Sequence, residues 1–202
     1  MQNELNKVRF SVKPLKSNDN KVVELARTVG IHPLAYQELP YDPEYSFYAG
    51  RLNPEVLSHA TADEMYWKVR QEVIFRHTGE HPYEISGPDA EKLLQKIFTR
   101  DISKVKVGRC SYQFACYNDG GMLTDGVLLK LEENKFWFVQ ADGDLFSWYK
   151  AHTDNLNVKI SDPDVWVSQI QGPKSMDLLK VLSKETFPAV SYTHLRAHET
   201  EQ

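Results

Sequence analysis

An aspartate inside an apolar strand pattern is the residue of this chain whose position most suggests chemistry. Asp125 interrupts the segment Leu123–Val127, where strand alternation predicts an apolar side chain. A buried carboxylate without a partner is unstable, so a sheet that holds one commonly uses it to bind a polar or cationic ligand. The alternative is that this end of the sheet is solvated.

Counting residues back from two hairpin turns brings other polar side chains to Asp125. Asp119-Gly120 is typical of a two-residue type I′ turn and predicts that Phe114 faces Asp125. The next turn, at Glu133-Asn134, predicts that Asp142 faces Asp125 from the other side, provided that no β-bulge shifts the register. The polar side chains that these registers bring to one face are the candidate site residues: Tyr112, Asp125, Gln140 and Asp142.

A repeated pattern of strand, Gly-Pro turn and apolar helix occurs twice. It covers Tyr83–Phe98 and again Ser168–Leu182, and Gly87-Pro88 matches Gly172-Pro173. Proline suits the first turn of a helix. The repeat predicts two related β-α units that share one sheet. Neither copy has a glycine-rich phosphate motif, so helix initiation is favoured over phosphate binding at these turns.

The remaining elements are predicted from caps and apolar spacing. Thr61 and Glu64 form a capping box that begins a helix running to about Phe75. Residues 1–60 are predicted to be loop-rich, with a short helix at Lys21–Val29, and to pack on the core. Their aromatic loops could line a ligand pocket, although covering a core is the commoner role. A further helix is predicted at 145–152 and further strands at 157–160 and 165–170.

Composition argues against several classes of function. The chain has 202 residues and a formal net charge of −4, so it lacks the basic character typical of nucleic-acid-binding proteins. No apolar run approaches the ~20 residues needed to cross a bilayer, and the polar start is not typical of a signal peptide. We therefore expect a cytoplasmic protein with neither a nucleic-acid nor a membrane partner. The oligomeric state is not predicted.

The cysteines and the turn histidines do not predict a metal site. Cys110 and Cys116 lie six residues apart on one predicted strand, too far for a disulfide, so free thiols are expected. His77 and His81 fall in a segment that Gly and Pro mark as a turn. Solvated side chains are favoured there over catalytic groups or ligands.

Four segments in a fixed order resemble the folate-binding aminomethyltransferase family, meaning the T-protein of the glycine cleavage system and its relatives. They are ISGPDAEKLLQKIFTRDISKVKVGRCSYQ, YNDGGMLTDGVLLKL, DLFSW and SQIQGPKSMDLL, and together they extend across roughly Ala60–Leu182. The short pieces GGMLTDG and ADGDL resemble the tetrahydrofolate-dependent dimethylsulfoniopropionate demethylase branch in particular. Each piece alone is weak, and the set is specific.

The resemblance implies an enzyme that transfers a methyl or aminomethyl group to tetrahydrofolate from a small methylated amine or sulfonium compound. The family aspartate that contacts the pterin and the one-carbon centre falls on Asp125, and the tyrosine of the preceding strand falls on Tyr112. Asp125 is thus the expected catalytic residue and, with Tyr112, a folate-binding residue. Gln140 and Asp142 are added as folate-binding candidates.

Two departures from the family pattern concern the substrate. T-proteins typically have Asp-Val-Ser-His where this chain has Arg76–Gly79, and an asparagine where it has Ala141. Transfer of a one-carbon unit is therefore expected, rather than glycine cleavage itself. Asp142, next to Ala141, is the candidate for a different substrate choice.

The implied fold is α+β, with an antiparallel or mixed sheet built from the repeated β-α units and a three-stranded meander. We expect residues 61–189 to form an incomplete folate-binding domain, because family members are longer. Residues 190–202 resemble a translated sequencing adapter, so no metal site is predicted from His194 and His198. Two other functions stay open. One is a folate-binding assembly or regulatory protein without catalysis, and the other is a module of a flavin-dependent demethylating dehydrogenase.

Overall fold

A five-stranded antiparallel sheet forms the centre of the part of the chain that the structure, a computed structural model, describes: residues 30–182. The strands are β1 (Glu44–Tyr48), β2 (Arg51–Val56), β3 (Ile74–His77), β4 (His81–Ser86), β5 (Arg109–Cys116), β6 (Met122–Glu132), β7 (Lys135–Gln140), β8 (Lys159–Ser161) and β9 (Ser168–Gln171). The helices are α1 (Ala62–Gln71), α2 (Ala90–Ile97), α3 (Leu145–Ala151) and α4 (Ser175–Leu182). The α+β class is confirmed.

The central sheet has the strand order β5-β6-β7-β4-β8, and the predicted meander is its β5-β6-β7 part. Burial alternates along these strands, so one face is covered while the other is partly exposed. Helices α2 and α3 contribute to the core on the covered face, where Leu93, Leu94 and Tyr149 are fully buried with Phe136 and Phe138 of β7. This core fixes the sheet that carries the candidate site.

Helix α1 begins at the predicted capping box. The Thr61 hydroxyl accepts a hydrogen bond from the Glu64 backbone N–H, and the Glu64 carboxylate accepts one from the Thr61 N–H at 2.7 Å. The helix ends at Gln71, earlier than predicted, because Phe75 belongs to strand β3. Strand formation with a distant partner therefore overrides the local helical pattern at its end.

The repeated β-α units are confirmed as local structures, but the prediction that they share one sheet is wrong. Strand β4 lies in the central sheet, whereas β9 pairs with β3 in a separate two-stranded sheet. Both Gly-Pro turns use a positive φ, +123° at Gly87 and +132° at Gly172. At each glycine a Cβ would lie about 2.5 Å from a backbone oxygen, that of Asn157 or of Glu72. The two turns are thus built alike although their sheets differ.

The loop-rich segment contains a hairpin that the sequence did not predict. Strands β1 and β2 pair antiparallel, and the turn between them holds Ala49 at a positive φ of 50°. The predicted helix at Lys21–Val29 and the adapter-like residues 190–202 lie outside the described residues. Between residues 30 and 182 no helix has the length and apolarity needed to span a membrane.

Candidate functional site

The partly exposed face of the central sheet carries Asp125, and we name it the open face. Strand pairing places Phe114 directly opposite Asp125, and Tyr112 opposite Val127. All its side chains are partly exposed, in contrast to the buried residues that alternate with them. The open face consists of Cys110, Tyr112, Phe114, Asp125, Val127, Leu129, Trp137 and Val139.

The predicted pairing of Phe114 with Asp125 is confirmed, although the turn differs from the predicted one. The Tyr117 N–H donates to the Gly121 carbonyl, so the loop has three residues rather than two. The register then shifts, because Cys116 pairs with Met122 while Ala115 pairs with Thr124. This β-bulge cancels the one-residue difference of the turn.

Tyr112 and Asp125 are joined directly. The Tyr112 hydroxyl donates a hydrogen bond to the Asp125 carboxylate from the neighbouring strand. The Tyr112 ring also meets Phe114 edge to face, with 5.2 Å between ring centroids. The open face therefore presents a carboxylate that a phenol orients, beside two aromatic rings.

The predicted position of Gln140 is wrong. Gln140 pairs with Gly126, not with Val127, because a second register shift lies between Lys130 and Glu132. Its side chain points to the covered face, where it is fully buried, and its amide donates to the Gly143 carbonyl at 2.8 Å. A one-residue shift moves every following side chain to the other face, so Gln140 does not join Asp125.

The predicted pairing of Asp142 with Asp125 is wrong for the same reason. Asp125 instead lies beside Ala141, whose N–H donates to the Asp125 carbonyl at 3.2 Å. The Asp142 carboxylate accepts a hydrogen bond from the Ala49 N–H at 3.0 Å, in the turn of the β1-β2 hairpin. Asp142 thus connects the end of β7 to this hairpin.

Tyr48 is a residue near the site that the sequence did not single out. Burial raises its pKa, and the negative charges of Glu80, Asp142 and Asp125 raise it further. The hydroxyl therefore keeps its proton and can donate a hydrogen bond. Tyr48 belongs to the aromatic loops of residues 1–60, which the sequence predicts either to line a ligand pocket or to cover the core.

The two histidines of the predicted turn lie in strands instead. His77 ends strand β3, is 4% exposed and stacks on His32 with 3.8 Å between ring centroids, so the prediction of a solvated side chain is wrong for it. His81 begins β4, and its ring nitrogens lie 3.1 Å from the Ala49 carbonyl and 2.8 Å from the Asp162 carboxylate. Within residues 30–182 no three His, Cys, Asp or Glu side chains cluster in a way that could hold a metal ion.

Comparison with known proteins assigns the family. The profile of the GCVT N-terminal domain matches residues 32–202. The chain belongs to this family. The match covers the open face and both β-α units, so the family assignment includes the region that holds Asp125.

The relatives include a demethylase and several aminomethyltransferases. The chain is 34% identical over 137 residues to dimethylsulfoniopropionate demethylase DmdA of Ruegeria pomeroyi, which covers 67% of this chain and 37% of that protein. It is 30% identical over 115 residues to an aminomethyltransferase of Symbiobacterium thermophilum, covering 53% of this chain and 30% of that one. The chain thus spans about a third of the length of these two relatives.

A solved structure shares the fold. The glycine cleavage system aminomethyltransferase T of Bartonella henselae superposes with a TM-score of 0.68 at 18% sequence identity. The superposition covers 76% of this chain and 43% of that one. The T-protein-like fold expected from the sequence is confirmed.

Proposed function

We propose that the protein takes part in tetrahydrofolate-dependent transfer of a one-carbon unit from a small methylated amine or sulfonium compound. The observation that carries the proposal is the hydrogen bond from Tyr112 to Asp125 on the open face. Family membership supports the folate-dependent class of reaction, and two relatives carry the names of a demethylase and an aminomethyltransferase.

The residues of the open face suit a pterin. A pterin is a flat heterocycle with several N–H donors, so it combines well with aromatic and aliphatic surface and a carboxylate acceptor. Phe114, Tyr112 and Val127 supply the apolar surface around Asp125. We assign folate binding to Tyr112 and Asp125, and no longer to Gln140, because its side chain is buried on the other face.

Tetrahydrofolate, when bound, accepts the one-carbon unit. Asp125 holds a negative charge on the open face, and this charge stabilises positive charge that develops at the transferred carbon. The Tyr112 hydroxyl fixes the orientation of the carboxylate and leaves further oxygen lone pairs for a ligand. Proton transfer is a second role open to Asp125, because its carboxylate is partly exposed and is held by the hydrogen bond from Tyr112.

The charge around Tyr48 favours a cationic donor. Glu80, Asp142 and Asp125 all act on the Tyr48 hydroxyl, so a positively charged sulfonium or amine would gain from the same field. The aromatic ring of Tyr48 adds a surface that attracts cations. Asp142 contributes charge to this region while its side chain holds the hairpin turn.

A two-step experiment tests the proposal. The 202-residue chain is first titrated with the stable analogue 5-formyltetrahydrofolate by calorimetry, and Asp125→Asn is titrated as the comparison. Methylated amines and sulfonium compounds are then screened for methyl transfer to tetrahydrofolate. Binding that Asp125→Asn weakens, followed by transfer, supports the proposal. Folate binding without transfer from any donor indicates the non-catalytic folate-binding protein instead, and no binding at all rejects both.

A further inference from the structure

We propose that the outer edge of strand β9, together with helix α4, binds a second copy of this chain. This interaction is independent of the proposed function. The chain contains the same β-α unit twice, first as β4 with α2 and then as β9 with α4. Strand β8 flanks the first unit and β3 flanks the second in the same way, because the two turn glycines approach the backbone just before those strands, at Asn157 and at Glu72. The first unit therefore shows what the second one lacks.

The first unit has a strand on each side, and the second has a strand on one side. Ile85 of β4 lies opposite Phe136 of β7 and opposite Ile160 of β8. Ile170 is the corresponding residue of β9, and it lies opposite Phe75 of β3. Within residues 30–182 no strand occupies the position beside β9 that β7 occupies beside β4.

The hydrogen-bond pattern shows which backbone groups of β9 are available. The Thr78 N–H donates to the Val167 carbonyl at 3.1 Å, and hydrogen-bonded pairs alternate with non-hydrogen-bonded pairs along an antiparallel ladder. The backbone of Gln169 therefore bonds to β3. The N–H and C=O groups of Ser168 and Ile170 point to the outer edge instead, where they can pair with another strand.

Helix α4 is exposed where α2 is buried. Ile97 of α2 is 3% exposed and shares a core with Phe136 of β7, whereas Leu182, the corresponding residue of α4, is 63% exposed. Val181 is 82% exposed, and it replaces the Lys96 of α2. We name the outer edge of β9 and this apolar end of α4 the β9 surface. An element added beside β9 would cover both parts of it.

The charges of the β9 surface suit a second copy of the same surface. Exposed edge strands commonly carry lysine or proline, which prevent pairing, but β9 has the sequence Ser-Gln-Ile-Gln. Helix α4 carries one acid, Asp177, and one base, Lys180. A twofold axis would therefore place β9 antiparallel to its copy without bringing net charge together. The resulting sheet has the order β3-β9-β9-β3, with both α4 helices on one face.

A pair of charge variants tests this association. Sedimentation velocity of the 202-residue chain is measured between about 1 and 200 µM, a range that brackets a weak dimer. Val181→Lys/Leu182→Lys places two charges on the β9 surface. Val107→Lys/Met122→Lys makes the same change at two apolar residues near β5 and β6, 50% and 63% exposed, and is the control.

We expect the wild type to form a dimer with a Kd on the order of 10 µM, because one short strand edge and one helix bury less area than a standard interface. The variant on the β9 surface should weaken the dimer by about tenfold or more, since its charges would lose water in the interface. The control should leave the Kd unchanged.

Amide hydrogen exchange distinguishes strand pairing from contact between helices alone. The amides of Ser168 and Ile170 should exchange more slowly as the protein concentration rises. The Gln169 amide bonds to β3 within one chain, so its exchange should not depend on concentration.

Three results would overturn the proposal. One is a chain that stays monomeric up to about 200 µM; protection of Ser168 and Ile170 in that monomer would mean that a segment outside residues 30–182 covers the edge. The second is a dimer that Val181→Lys/Leu182→Lys leaves intact. The third is association that continues past two copies, because pairing about a twofold axis closes at the dimer.

Discussion

The Tyr112 hydroxyl donates a hydrogen bond to the Asp125 carboxylate across two neighbouring strands, and the two residues are diagonal to each other in the ladder. Tyr112 faces Val127 and Phe114 faces Asp125, so the phenol reaches over one residue pair to the acid. This arrangement depends on the register of β5 and β6. It makes the acid and the tyrosine one unit on the open face, and it yields separate predictions for each of them.

Replacement of Asp125 by asparagine should remove activity while leaving the fold intact. The amide keeps the shape of the carboxylate and can still accept from Tyr112, but it removes the negative charge. We expect transfer to fall by about a hundredfold or more, and the free energy of unfolding to change by less than ~1 kcal/mol, because Asp125 is partly exposed. Rate assays and urea unfolding check this. Asp154→Asn, an exposed loop substitution, is the control, and normal turnover of Asp125→Asn would show that the assigned role is wrong.

Replacement of Tyr112 by phenylalanine should weaken folate binding without loss of stability. The ring keeps its edge-to-face contact with Phe114, while the hydrogen bond that orients Asp125 is lost. One such hydrogen bond corresponds to about 1 kcal/mol, or roughly a fivefold increase in Kd. Calorimetric titration measures the change, with the exposed Tyr66→Phe as the control. An unchanged Kd would exclude Tyr112 from orienting the ligand-binding carboxylate.

The register of the meander explains which parts of the site the sequence could predict. The first hairpin has a three-residue loop and an extra residue, Leu123, in β6, and these two differences cancel at Asp125. The second hairpin has the extra residue Leu131 and no compensating change, so Gln140 and Asp142 miss the predicted positions. Alternating apolar residues continue through a bulge, so the sequence pattern gives no sign of it.

Long-range pairing explains what the sequence missed in the fold. The segment around His77 carries turn residues, yet it forms strand β3 because β9, about ninety positions later in the chain, pairs with it. The β-α repeat was visible because its turn chemistry is local. The sequence does not show that the two β-α units lie in different sheets, because sheet membership depends on partner strands that no local pattern specifies.

Gly126 should not tolerate alanine. A Cβ at this position would lie 2.2 Å from the Val139 carbonyl oxygen and 2.7 Å from the Phe138 ring. The backbone at Val139 cannot move away from this Cβ without separating β6 from β7. We therefore expect a loss of about 3 kcal/mol or more in the free energy of unfolding. Urea unfolding measures it. Gly121→Ala is the control, because its Cβ would lie 3.2 Å from an Asp119 carboxylate oxygen and 3.7 Å from the Tyr117 ring, with no backbone atom among these neighbours. Equal stability of the two variants would contradict the close packing of β6 on β7.

Replacement of Asp142 by alanine separates a structural role from a substrate-binding role. Its carboxylate accepts the Ala49 N–H, so its loss should destabilise the β1-β2 hairpin by about 1 kcal/mol and speed amide exchange at Ala49. Asp142→Asn keeps an acceptor oxygen and should restore the protection of this amide. If the alanine variant changes only substrate affinity, with exchange at Ala49 unaltered, the hydrogen bond to the hairpin is not the role of Asp142.

The stacked pair of His32 and His77 should make stability depend on pH. Burial lowers the pKa of His32 to about 4, and the positive charges of His77 and Arg51 contribute; burial also lowers the pKa of His77. The Ser168 hydroxyl lies 3.1 Å from His77 Nδ1 and 3.5 Å from His32 Nε2, and the two rings have 3.8 Å between centroids. A proton on either ring would therefore add charge to a crowded, buried site.

The sign of this pH dependence follows from the lowered pKa values. In the unfolded chain these histidines bind protons below about pH 6.5, whereas in the folded chain His32 binds its proton only near pH 4. The contribution of the histidines to the free energy of unfolding is therefore complete above pH 6.5 and falls as the pH drops toward 4. We expect a loss on the order of 1–2 kcal/mol over this range, allowing for partial screening by solvent. Urea unfolding at several pH values measures it. His32→Gln should flatten the dependence, and the exposed His59→Gln should not. An equally steep profile in His32→Gln would mean that other groups cause the acid sensitivity.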